Sequence, residues 1–271
     1  MLKLRVITAL ILAPLVIMGI YFLPDTAFVL FIAGVTILAS WEWTRIAGFH
    51  AFTNRLLYVA GIAIVLYGIT LYLQEERLSN IFFVIVLLWW VLTLLRLFSY
   101  RFRPLQPGVH QITAVLAGFP VLCGAFAAIV LLRQEYGPTS ILILLLLVWA
   151  ADIAAYFTGR KFGRHKLLPS ISPGKTFEGI WGALLASLLV GFVASFWYDP
   201  QGSKIVALLV ISLVTVVFSI VGDLNESLYK RQAGLKDSSN LLPGHGGILD
   251  RIDSLTAAAP VYICGLYLFR V

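Results

Sequence analysis

An all-α, polytopic membrane bundle of about nine spanning helices is the fold class this sequence predicts, and three observations predict it. Of 271 residues, 60% are hydrophobic and 12% charged, too little polar material to cover a soluble domain of that length. Apolar runs of about 20 residues, the length that crosses a bilayer, follow one another from end to end. Those runs are too long and uniform for barrel strands, which leaves helices as the way to satisfy backbone groups in lipid.

The first run follows Lys3 and Arg5 and ends near Leu23. It is long for a signal-peptide core and lacks a small-x-small cleavage site, so it is read as a first span. Further spans are expected at about 26–44, 55–73, 80–98, 110–132, 139–158, 176–197, 204–222 and 254–270. With nine spans the termini fall on opposite sides. Sixteen of the 20 basic residues then lie on the side of the N-terminus, and only Arg77, Arg133, Lys204 and Arg270 on the other. Under the positive-inside rule the N-terminus and the long polar passage at 222–254 face the cytoplasm. The net charge of +7 is this topological signal, and no nucleic-acid partner is expected. Residues 1–135 read as a helical scaffold and 136–271 as the helices that carry polar loops, within one membrane unit. Cys123 and Cys264 sit in separate apolar runs and read as core residues. Trp41-Glu42-Trp43-Thr44-Arg45 ends a span, where aromatics anchor at the interface and Glu42 can pair with Arg45.

Three polar clusters fall on the cytoplasmic side. Asp152 lies about two turns inside the sixth span, with Tyr156 and Gly159 on the same helical face. An acid at that depth needs a partner, a ligand or a wet cavity. The basic run Arg160 to Lys166 behind it reads as an orientation signal or a lipid-headgroup contact. In the second cluster, residues 169–182, Gly174-Lys175-Thr176 lacks the earlier glycine, the preceding strand and the soluble helix of a P-loop. Ser172 reads instead as an N-cap with Pro173 opening a helix. Its free amides, with Lys175 and Thr176 beside them, suit a phosphate, and Glu178 in the first turn complements the dipole.

The third cluster, Gly222 to Ser254, is the longest polar passage. If the eighth span continues as a helix, Asp223, Glu226/Ser227 and Lys230 share a face. Asp250 and Asp253 are one turn apart at the start of the ninth. Pro243-Gly244 and Gly246-Gly247 make a turn-prone link that can bring the two helix ends together, so that two or three carboxylates converge on a Mg²⁺ that shares its remaining positions with phosphates. Lys230, Arg231, Lys236 and Arg251 are candidate phosphate contacts. Asp237 either faces the substrate or anchors a neighbouring lysine, and His245 is a phosphate donor or a loop organiser.

The pattern Ser227-x-Tyr-Lys-Arg-x4-Lys-Asp-x-Ser-x2-Leu-Pro-Gly-His-Gly-Gly-Ile-x-Asp-Arg-Ile-Asp253 resembles the signature of the phosphatidate cytidylyltransferases, or CDP-diacylglycerol synthases. It departs at Tyr229, where an aliphatic residue or Phe is expected. The segment at 169–182 is similar to a second, less specific stretch of that family. The resemblance implies that CTP and phosphatidate give CDP-diacylglycerol and pyrophosphate in a bacterial inner membrane, with Asp223, Asp250 and Asp253 as metal ligands. It suggests Mg²⁺ with a monovalent cation beside it, and a homodimer. The phosphatidate phosphate can attack the α-phosphorus of CTP without a general base, so positioning and charge neutralisation are the tasks. The D-x2-D-G pattern of CDP-alcohol phosphotransferases is absent. A CTP-dependent lipid kinase would release CDP instead of pyrophosphate. An ion-coupled transporter would line both halves of the membrane with polar residues, which here gather at one face.

Overall fold

The computed structural model describes residues 2–73, 75–98, 105–199, 202–242, 244 and 246–271. Helices α1 (Leu2–Phe22), α2 (Asp25–Ile46), α3 (Phe52–Tyr72) and α4 (Glu76–Phe98) lead into a bent segment. That segment comprises α5 (Pro107–Gly118), a π-helical turn at Phe119–Cys123, α6 (Gly124–Leu131) and a second π-helical turn at Leu132–Tyr136. Pro120 has no N–H to give the helix, and the wider turn accommodates its ring. Helix α7 (Gly137–Phe162) is followed by a small hairpin, β1 (Lys166–Leu168) and β2 (Ser172–Thr176), then α8 (Phe177–Tyr198), α9 (Ile205–Gln232) and α10 (Leu249–Phe269).

Helices occupy each of the nine expected intervals, but the count of nine spans does not follow. Seven segments among the described residues are long and apolar enough to cross a membrane. Pro107–Phe162 is one run of 56 residues, which if straight would reach roughly 84 Å. It is interrupted at Gly137, whose φ of 76° no helix can contain. Helix α9 does continue past the eighth apolar run, to Gln232, and so carries Asp223 to Arg231 on a regular helix.

Lipid gives apolar helices no reason to separate from it, so close packing holds the bundle together and small residues line the contacts. A side chain at Gly182 of α8 would strike Thr158 of α7, and one at Gly191 would strike Ser212 of α9. The closest crossing is at Gly222 of α9: a Cβ there would stand 2.5 Å from the backbone oxygen of Asp253 in α10. Helix α10 lies centrally, its Ala257, Ala258 and Ala259 without solvent exposure.

Two sequence expectations are corrected here. Trp43 is not an interface anchor but a core residue. It is fully buried, donates from Nε1 to Ala114 O at 2.8 Å and packs at a tilt against the Tyr229 ring, centroids 5.6 Å apart. Trp41, capped by Arg55 at 4.0 Å, keeps the expected interfacial form. Ser172 is not the cap of α8, nor Pro173 its first residue. Both are drawn into β2 by pairing of Leu168 with Ser172 and Lys166 with Thr176. Thr176 is the cap, its Oγ1 accepting from Gly179 N at 3.1 Å.

The Gly222 crossing is testable against a neutral control. Gly222→Ala is expected to destabilise the detergent-solubilised protein by about 1–3 kcal/mol, the scale of overpacking. Gly61→Ala, at a helical position with nothing within 4 Å, is expected to leave stability unchanged or raise it by under about 1 kcal/mol. Thermal unfolding of the two variants side by side reads the difference, and equal midpoints would remove the special status of Gly222.

Candidate active site

The Gly222 crossing sets the site. It places the next residue, Asp223, where its carboxylate interacts electrostatically with Asp253 on the facing turn of α10. Asp223 also receives Lys175 from β2, Nζ to Oδ2 at 2.6 Å with both side chains partly exposed. Ser227 Oγ donates to Asp223 Oδ1 at 3.2 Å, one turn along the same helix. Asp152 stands open on α7, within electrostatic reach of Lys175, Asp223 and Arg251. The second and third polar clusters therefore meet at the Lys175–Asp223 pair, and α7, which carries Asp152 of the first, packs against α8 and α9.

Behind this front the remaining charges are committed to one another. Lys230 Nζ sits 2.6 Å from Asp250 Oδ1 and 2.9 Å from Glu226 Oε1, with its side chain 10% exposed. Asp250 further accepts from Ser238 N (3.0 Å), Ser238 Oγ (2.9 Å) and Gly247 N (2.8 Å). Lys230 thus acts as the internal counter-charge of two acids, where the sequence suggested a phosphate contact. Among the described residues no three acids or histidines stand together as a ready-made metal group.

Other expected site residues separate by environment. Arg231 turns to the backbone: Nε donates to Ile171 O (3.3 Å) and Nη1 to Leu235 O (3.2 Å), tying the hairpin and the following loop to α9. Lys236 and Asp237 are exposed on that loop. Gly246 takes φ 81° and accepts from Leu242 N at 2.8 Å, closing a turn around Gly244. Gly247 N is spent on Asp250, and a side chain there would strike Ser238 and Glu42. Glu178 does more than complement the dipole, receiving His165 Nδ1 at 2.8 Å. Ser172 is partly buried in β2. His245 lies outside the described residues.

Glu42 escaped the sequence reading. It does not pair with Arg45, which donates from Nη1 to Ser238 O at 3.3 Å. Glu42 is 3% exposed and accepts from Ser238 Oγ, Ser239 Oγ, Ile248 N and Leu249 N. An acid three residues inside an apolar helix was the available signal; its partners, about 200 positions away, were not.

An apolar cavity of about 450 Å³ opens beside the charged front, walled by Leu94, Leu97, Phe98, Phe177, Trp181 and Leu224 among others. Phe177 directly follows Lys175-Thr176 and Leu224 directly follows Asp223, so the polar and apolar surfaces share their elements.

The burial of Lys230 has a measurable consequence. Lys230→Ala leaves Glu226 and Asp250 without their cation, and breaking a buried pair this way costs about 3–5 kcal/mol. Thermal unfolding should show that loss. A variant with unchanged stability and weaker substrate binding would return Lys230 to the phosphate contacts.

The model of the Cytidylyltransferase family matches residues 3–269. A phosphatidate cytidylyltransferase of Pseudomonas aeruginosa is 43% identical over 277 residues, covering 98% of this chain and 97% of the relative. One of Haemophilus influenzae is 37% identical with 97% of both chains covered. One of Brucella suis is 36% identical, covering 99% of this chain and 93% of its own. With a family model matched along nearly the whole chain and relatives that match it end to end, this chain belongs to the cytidylyltransferase family.

Proposed function

We propose that this chain transfers the cytidylyl group of CTP to phosphatidate, giving CDP-diacylglycerol and pyrophosphate, at the inner membrane of a bacterium with its charged front facing the cytoplasm. The observation that carries the reading is the meeting of the second and third polar clusters at one contact, Lys175 Nζ on Asp223 Oδ2 at 2.6 Å, in a chain whose relatives bear that enzyme's name over nearly their full length. The apolar cavity supports a lipid substrate: acyl chains lie against Phe177, Trp181 and Leu224 while the phosphate reaches Lys175. The sixteen-to-four distribution of basic residues supports entry of the nucleotide from the cytoplasm.

The chemistry is an exchange of one phosphorus–oxygen bond for another. A phosphate oxygen of phosphatidate attacks the α-phosphorus of CTP, the bond from that phosphorus to the bridging oxygen breaks, and pyrophosphate leaves. The nucleophile is already an anion, so no base has to take a proton. The chain's work is to hold two polyanions against their repulsion. Lys175 and Arg251 at the front, and the exposed Lys236 on the loop, are the cations placed to do so.

Magnesium fits the donor set in its chemistry. Asp152, Asp223, Glu226, Asp250 and Asp253 outnumber Lys175, Lys230 and Arg251 in one electrostatically connected cluster, and hard oxygen donors in excess of cations are what Mg²⁺ takes. Asp223 and Asp253 would hold it, with a monovalent cation beside them; Asp250, the third ligand expected from the sequence, is engaged by Lys230, Ser238 and Gly247 and would join only by giving up one of those bonds. Bound there, Mg²⁺ would neutralise charge on the pyrophosphate as it departs. A homodimer is part of the same proposal.

Incubating the purified chain with labelled CTP, phosphatidate and Mg²⁺ tests the reading. A labelled liponucleotide and stoichiometric pyrophosphate are expected; CDP in place of pyrophosphate would make it a lipid kinase. Asp223→Asn and Asp253→Asn should each lower kcat by at least about 10²-fold, the scale of a lost electrostatic stabiliser, in protein that remains folded. Near-normal turnover in both variants at ordinary Mg²⁺ would move the metal site elsewhere.

A further inference from the structure

We infer that Glu42 of α2 is a positioning residue that caps α10 in trans and orders segment 238–249 before the nucleotide arrives; the inference rests on the proposed function and deepens it. Helix α10 begins without a cap of its own. Its N-cap position is Ile248, and no side chain of the flanking residues bonds the first amides. An uncapped N-terminus leaves N–H groups unsatisfied and a positive dipole end unbalanced. Glu42 supplies both needs, accepting from Ile248 N at 3.0 Å and Leu249 N at 2.8 Å. The same carboxylate takes Ser239 Oγ at 2.6 Å and Ser238 Oγ at 3.0 Å.

Helix α2 has other anchors in the bundle: Trp43 and His110 tie it through Ala114 O, the Tyr229 ring and Ile46 O. Every hydrogen bond of the Glu42 carboxylate among the described residues goes to segment 238–249. Ser238 is the junction: its single hydroxyl proton faces Glu42 Oε2 at 3.0 Å and Asp250 Oδ2 at 2.9 Å. Glu42 and Asp250 thus grip the loop between them. Lys236 and Asp237 enter this grip and Asp250 and Arg251 leave it, so its order decides whether those groups stand ready. A loop ordered in advance spares the ligand that cost. If the grip loosens, only a fraction of molecules is competent and apparent affinity falls by that fraction.

The test uses the purified full chain in detergent, with steady-state kinetics and hydrogen exchange of 238–249 measured without substrates. Glu42→Gln keeps the shape and removes the charge. KM for CTP is expected to rise at least about tenfold, the weight of one charge-assisted hydrogen bond, with faster exchange in 238–249 and unchanged protection of α9. A KM within about twofold of the unsubstituted chain overturns the inference whatever happens to kcat, since a loss of folded protein lowers kcat alone. If Glu42→Gln does not fold, Ser239→Ala decides: it removes the 2.6 Å bond to Glu42 together with one bond inside the loop, from Leu241 N to Ser239 Oγ at 3.1 Å. A higher KM with faster exchange supports the grip; unchanged values of both overturn it. A chain that makes no liponucleotide at all sinks the proposed function, and exchange of 238–249 in the variants then judges the grip alone.

Discussion

A charge buried in an apolar bundle must find its opposite, or a set of hydrogen-bond donors, within a few ångströms, because the medium around it supplies neither. The arrangement of α9, α10 and the hairpin follows from that requirement. Lys230 stands between Glu226 and Asp250; Asp250 collects the amides of Ser238 and Gly247; Glu42 collects those of Ile248 and Leu249. Each pairing fixes a piece of chain that has no apolar face with which to fix itself. The loop from 233 to 248 is short of hydrophobic anchors, and buried carboxylates replace them.

Acid exceeds base throughout the cluster, but the two parts differ in access. Behind the front, Lys230 alone answers Glu226 and Asp250, with all three side chains at most 10% exposed. At the front, Asp223 meets Lys175, and these two, like Asp152, Asp253 and Arg251, are at least partly exposed, with acid in excess of base. A surplus of carboxylate where two polyanions must meet makes sense only with a cation added, which is why the metal proposal follows from the charge arrangement and not from a preformed cage. The Gly222 crossing sets the two helices against each other here, since a Cβ at Gly222 would strike the backbone oxygen of Asp253.

How much of this could be read in advance depended on distance along the chain. The helical class was legible because hydrophobic length is a local property, and the continuation of α9 to Gln232 because Asp223, Glu226 and Lys230 repeat at helical spacing. The meeting of Lys175 and Asp223 was legible from their common side of the membrane. The start of α8 was not: Ser172-Pro173 is a sound helix opening, and the pairing with Lys166–Leu168 that overrides it is a tertiary fact. Nor was the role of Lys230. Its charge says that it binds an anion, and only the fold shows Glu226 and Asp250 beside it. Glu42 was hardest, with an easy local partner in Arg45 and its true partners in the last quarter of the sequence.

The placement of the apolar cavity beside the charged front completes the logic. A lipid phosphate cannot leave the bilayer surface, and a nucleotide cannot enter the bilayer, so the reaction has one plane in which to occur. Alternation along β2 and the start of α8 serves that plane directly: Lys175 turns to Asp223, Thr176 caps the helix, and Phe177 turns to the cavity. Asp223 and Leu224 repeat the division on α9. Polar and apolar surfaces built from adjacent residues cannot drift apart, so in the proposed reading backbone geometry would set the register between an acyl chain and its phosphate. That rigidity also explains why the hairpin is needed at all. A helix beginning at Pro173 would carry Lys175 round its own axis, whereas an extended strand ending at the Thr176 cap holds it against α9.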